Sequence, residues 1–184
     1  MSASAPRLRR SWHLTKRFFG ALVPGAPSSD DETWVAHVLS PKLFDEWKAM
    51  PDHDRRHSIS VARRLQLGLS TTEHADDDQW VAAALVHDVG KLDADLGVFA
   101  RVAATLARGA LGHERTDRWI DRHGWRLHCA RYLRHDELGA ARIRATGGPE
   151  AVARWAAAHH DRSHWVGTGI PPEVVAALDA ADDD

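Results

Sequence analysis

Apolar residues return at three- and four-residue intervals along most of the chain. No window shows sustained period-two alternation between hairpin turns. That pattern predicts an all-α protein, with helices at about 31–39, 42–49, 52–68, 76–89, 94–108, 115–122, 125–144, 149–160 and 171–181. Pro41, Pro51, Gly68, the Gly147–Gly148 pair, Pro149 and Pro171 supply the breaks. Ahead of this body, residues 7–23 carry Leu8, Trp12, Phe19, Leu22 and Val23 at helical spacing, together with five basic residues and no acid. They read as a basic amphipathic helix that docks on the body, on a second subunit in a homodimer, or on a partner or membrane surface. The Pro, Gly and Ser content of 24–31 reads as a linker, which divides the chain into an N-terminal segment at 1–30 and one domain at 31–184.

A chain of 184 residues suffices for one full hydrophobic core. Lys and Arg number 24 against 26 Asp and Glu, so no global field draws the protein to nucleic acid, and none is expected as a partner. A phosphorylated small molecule suits that balance better. Cys129 stands alone, which excludes an internal disulfide, fits a reducing cytoplasm and gives no nucleophile signature. No stretch has the length of a membrane span or the form of a secretory signal. Histidine is abundant, at 13 residues, and only position can separate ligands from ordinary surface or core imidazoles.

The sharpest local signal is Ala84-Leu85-Val86-His87-Asp88-Val89-Gly90-Lys91. An apolar helix ends there on a His-Asp pair, at the edge of a surface that Trp80, Val81, Ala84 and Leu85 turn toward the core, where unpaired polar groups are costly. A metal ion near the helix end is a partner both could reach, and Gly90 would permit the sharp exit that makes room for it. Upstream, His57 opens a helix whose apolar face is Ile59, Val61, Ala62, Leu65 and Leu69. Downstream come Arg134-His135-Asp136-Glu137-Leu138-Gly139, then Ala156-Ala157-Ala158-His159-His160-Asp161, and finally Asp179, Asp182 and Asp183. Each alone fits a satisfied core histidine or a solvated acidic tail.

Together, His, then His-Asp-x-Gly-Lys, then His-x-x-x-Gly, then His-His, then Asp resembles the HD superfamily of metal-dependent phosphohydrolases over residues 50–184. The nearest resemblance is to its HD-GYP cyclic-dinucleotide phosphodiesterases and to small HD-domain proteins. The resemblance implies an HD-domain helical bundle in which His57, His87, Asp88 and Asp182 hold one ion. His135, His159 and His160 complete a second site, Asp88 bridges the two ions, and Lys91 contacts the scissile phosphate or assists the leaving group. Asp88 and Lys91 are thus the catalytic candidates. Asp179 and Asp183 remain open alternatives to Asp182. Mixed imidazole and carboxylate ligands suit two divalent transition metal ions, Mn, Fe, Co or Zn, over Mg or Ca.

One departure is plain. His160 is followed by Asp161-Arg162-Ser163-His164-Trp165-Val166-Gly167-Thr168-Gly169-Ile170-Pro171, with no Gly-Tyr-Pro loop. The expected reaction is therefore hydrolysis of a phosphomonoester or phosphodiester of a nucleotide or cyclic nucleotide, without commitment to cyclic di-GMP. Two other readings stand beside it. The ligand order is also similar to that of inositol oxygenase, whose di-iron pair activates oxygen, and a non-catalytic regulatory module could keep the metal site. His13, His37, His53, His74, His113, His123, His128 and His164 match no motif position and read as surface or structural residues.

Overall fold

The computed structural model describes residues 25–183, and every regular element among them is helical. The 7–23 segment lies outside the described residues. Ser28 Oγ accepts from the Asp31 N–H at 3.1 Å and starts α1 (Ser29–Val38), so the expected linker yields its last residues to a helix. Then follow α2 (Pro41–Ala49), α3 (Asp52–Leu69), α4 (Asp78–Val86), α5 (Val98–Leu111), α6 (His113–Asp117), α7 (Trp125–Leu133), α8 (His135–Ala145), α9 (Glu150–Ala158) and α10 (Pro172–Asp183). Tight 3-10 segments occupy Val89–Ala94, Arg118–Asp121 and Arg162–Thr168. None of the described helices is long and apolar enough to cross a membrane.

α4 is the central rod. Every residue from Trp80 to Val86 is buried, the pattern of a helix enclosed on all sides rather than one with a single apolar stripe. It packs against α1, α3 and α9, while α10 lies on α3, and α9 on α8. Leu43 and Trp47 of α2, Leu65 of α3, Leu85 of α4, Ile143 of α8, Val152 of α9 and Leu178 of α10 fill the space between them. The buried Ser58 hydroxyl receives Trp47 Nε1 at 2.9 Å and donates to the Arg55 carbonyl, which fixes the start of α3 against α2.

Four expected helices are shortened, shifted or divided. The helix expected at 76–89 ends at Val86, and the chain turns into Val89–Ala94, so the next helix begins at Val98 rather than near 94. The stretch expected at 115–122 is one short α-turn followed by a 3-10 turn. The helix expected at 125–144 breaks at Arg134, whose φ and ψ of −122° and 23° leave the helical region. No proline or glycine marks that break in the sequence. Tertiary contact explains it, because the carbonyl of His135 and the amide of Gly139 sit directly against Gly90.

That crossing also revises the role of Gly90. Its φ is not in the left-handed region, so helix exit does not require it. A Cβ at Gly90 would lie 1.9 Å from the His135 carbonyl oxygen and 2.4 Å from the Gly139 N, and a Cβ at Gly139 would lie 3.1 Å from the Gly90 N. The glycines allow two backbones to touch, and they lock the His87–Asp88 turn to the start of α8.

Candidate metal centre

The sequence candidates meet at the ends of α4, α7 and α9, beside α3 and the end of α10. His87 follows the last residue of α4, His159 follows that of α9, and His135 stands two residues beyond α7. Carbonyls in the last turn of a helix have no intrahelical partner. In all three places an imidazole takes the one three residues back: His87 Nδ1 to Ala84 O at 2.8 Å, His135 Nδ1 to Tyr132 O at 2.7 Å, and His159 Nδ1 to Ala156 O at 2.8 Å. A carbonyl only accepts, so Nδ1 carries a proton and each ring is left with Nε2 aimed at the interior.

Asp88 is the meeting point. Its Oδ2 contacts the Lys91 ammonium and lies 3.3 Å from His87 Nε2. Its Oδ1 lies 3.2 Å from His135 Nε2 and 3.7 Å from His159 Nε2. On the first side, Asp182 Oδ1 sits 3.1 Å from His57 Nε2 and 3.6 Å from His87 Nε2. On the second, His160, exposed as a residue, turns its ring inward to place Nε2 3.1 Å from His135 Nε2. Ligand-type atoms of His57, His87 and Asp88 fall within 4.8 Å of one another, as do those of Asp88, His135, His159 and His160.

Of the three candidate terminal carboxylates, Asp182 faces the imidazoles. Asp179 accepts from Arg162 Nη2 at 2.7 Å, and Asp183 faces the same guanidinium at 3.7 Å. Helical spacing cannot separate such neighbours, but a cation on the adjoining Arg162–Thr168 segment does.

Burial and charge set the protonation. Burial raises the Asp88 pKa, but the Lys91 and His87 charges outweigh it and hold the carboxyl well below its ordinary value. Burial works against a charge on His87, yet Asp88 and Asp182 raise its pKa. Burial lowers that of His159, and burial with the neighbouring His159 and His135 imidazoles drives His160 far down. An ionised carboxylate therefore faces two imidazoles, His159 and His160, that burial keeps neutral, the protonation that a divalent transition ion requires of its ligands, while the carboxylates around His87 favour positive charge at that point.

The donor set also fits an ion on hydrogen bonding alone. His87 Nε2, Asp88 Oδ1 and His159 Nε2 are sealed from solvent and make no hydrogen bond, an arrangement that costs free energy unless something else meets them. His57, His87, Asp88 and Asp182 could hold one ion, and Asp88, His135, His159 and His160 a neighbour.

Two histidines outside the motif are less idle than their spacing suggests. His53, one turn before His57 on α3, has its Nε2 buried 3.5 Å from Asp54, and His74 has its Nδ1 3.1 Å from Asp77. Sequence gave no sign of either, because their partners lie on other segments or depend on local turn geometry.

An all-helical bundle that gathers five imidazoles around a shared buried aspartate has the side-chain set of a His/Asp metal centre. The sequence profile of the HD domain matches residues 55–183, and the chain belongs to the HD-domain family. HD domains bind divalent metals and are typical of metal-dependent phosphohydrolases. Neither the curated proteins nor the solved structures hold a match to the chain.

Proposed function

We propose that this protein is a two-metal phosphohydrolase acting on a phosphomonoester or phosphodiester of a nucleotide or cyclic nucleotide. The observation that carries the reading is the division of Asp88: one carboxylate oxygen faces His87 and the other faces His135 and His159, the disposition a bridging ligand needs. Bound ions would supply an activated water and charge neutralisation for the phosphoryl group.

The protein's own part is positional. His57, His87 and Asp182 form one half of the ligand set and His135, His159 and His160 the other, with ring orientation fixed by backbone carbonyls. Lys91, held against Asp88, keeps a positive charge at the edge of the centre, where it contacts the phosphate or aids departure of the leaving oxygen. We read the paired histidines 159 and 160 as a resemblance to the HD-GYP branch, and the different loop after them as favouring a substrate other than cyclic di-GMP.

The test is a screen of metal-reconstituted protein against nucleotides, cyclic nucleotides and an aryl phosphate, with and without oxygen. Turnover that persists anaerobically is expected. Oxygen-dependent turnover, or none with any of these esters, overturns the proposal. Lys91→Ala is expected to keep its metal while losing about 10²- to 10⁴-fold in kcat, the range of a proton-transfer group.

A further inference from the structure

Away from the HD centre, His74 stands on the turn between α3 and α4 and repeats the anchoring device with a different acceptor. Its Nδ1 lies 3.1 Å from Asp77 Oδ2, and Trp80 Nε1 donates to the same oxygen at 3.1 Å. Asp77 occupies the N-cap of α4 but makes no capping bond with its side chain, which is turned to His74 and Trp80 instead. Since the carboxylate accepts, Nδ1 carries the proton, and Nε2 is aimed the other way. There it meets Glu173 Oε1 at 3.3 Å and Glu73 Oε1 at 3.9 Å.

Nε2 is sealed from solvent and makes a hydrogen bond to neither glutamate. Asp77, Glu173 and Glu73 raise the pKa of this ring, so the spot favours positive charge, whether a proton or a metal ion. Here the nitrogen is close to two carboxylates and aligned with neither. Ligand atoms of a tetrahedral zinc ion with bonds of about 2.0–2.2 Å are separated by about 3.3–3.6 Å. The Nε2 to Glu173 spacing already has that value. Glu73 is largely exposed, and the ligand atoms of Glu73, His74 and Glu173 all fall within 4.8 Å of one another. A carboxylate behind the distal ring nitrogen is the outer-shell arrangement that orients metal-bound histidine.

We propose that Glu73, His74 and Glu173 form a separate site for one divalent transition ion of the zinc type, with water in the fourth position. The imidazole disfavours Mg and Ca, which prefer oxygen alone. The site is distinct from the HD centre, since Glu173 lies in the first turn of α10 and Asp182 in its last, about 14 Å further along the helix. Its place gives it a task. His74 and Glu173 join the start of α4 to the start of α10, while His87 and Asp182 meet where those helices end. An ion there fastens the two helices that deliver both ligands.

The experiment strips the full chain with chelator, reloads it with zinc, exchanges the buffer and counts zinc per chain for the parent, Glu73→Gln, Glu173→Gln and His74→Gln. Each variant is expected to carry one equivalent fewer than the parent, to lose part of the zinc-dependent rise in Tm, and to keep its HD-centre turnover. Glu73→Gln alters an exposed side chain and keeps the test valid if His74→Gln disturbs the turn. An unchanged zinc count in Glu73→Gln and Glu173→Gln, or zinc-edge diffraction with no peak at His74 Nε2, overturns the proposal.

Discussion

The two halves of this molecule are held together by different physics. The scaffold of α1–α4 and α8–α10 is joined by a continuous apolar core, to which, among the described residues, the 90–139 stretch adds no fully buried side chain and packs only the half-buried Leu92 against it. The intervening arm, α5 to α7, leaves Phe99, Leu106, Leu111 and Trp125 exposed and is tied down by polar contacts. Arg101 on α5 places Nη1 3.0 and 2.7 Å from the two carboxylate oxygens of Asp54, one turn before His57, with both side chains buried. Arg108 donates to the Leu133 carbonyl at 3.2 Å, and His128 Nδ1 meets the Ala94 carbonyl at 2.9 Å. The candidate metal centre lies on the seam, with His135 entering where the arm rejoins the scaffold. The lesson is that the scaffold sets how stable the centre is, while the polar tethers set its register.

The strongest way to break this picture is at the seam itself. Asp88→Asn removes the ionised oxygen shared by the two ligand groups, and turnover is expected to fall by on the order of 10⁴-fold or more with loss of bound metal, read by elemental analysis. A variant with full metal content would remove Asp88 from the proposed centre. Next is Arg101→Met, which leaves Asp54 charged and buried without its partner and should destabilise by about 3–5 kcal/mol in urea unfolding. Asp54→Asn combined with Arg101→Met should recover part of that loss, whereas additive losses would show that the tether is not a coupled pair.

Gly90→Ala sharpens the comparison from the scaffold side. With its Cβ 1.9 Å from the His135 carbonyl oxygen, the backbones must part, at about 1–3 kcal/mol or more, and metal affinity should drop with stability. An alanine variant with the parent's urea midpoint would refute the close crossing. The smallest effect belongs to the arm's open face: Leu106→Ser, two-thirds exposed, should shift stability by less than about 0.5 kcal/mol and leave activity intact. A larger loss would mean that this face is covered in solution.

The sequence made some of this legible for a clear reason. His87 and Asp88 interrupt an apolar helix, and a polar pair at the end of an otherwise enclosed rod has few explanations. The helical class was equally plain from periodicity. What could not be read depends on partners distant in the chain. The break at Arg134 and the need for Gly90 both follow from one backbone crossing between segments some 45 residues apart, and neither leaves a local mark. The choice among Asp179, Asp182 and Asp183 rests on where Arg162 reaches, and His74, which reads as a surface or structural residue, owes its setting to Asp77 and Glu173 on either side of it.

The three carbonyl-anchored imidazoles carry one more consequence. Because each ring is gripped at Nδ1 by main chain, a proton arriving at Nε2 in acid can displace an ion without freeing the ring to rotate. A protein emptied by a brief drop in pH should therefore refill on neutralisation at a rate set by ion delivery, with no lag while side chains find their seats.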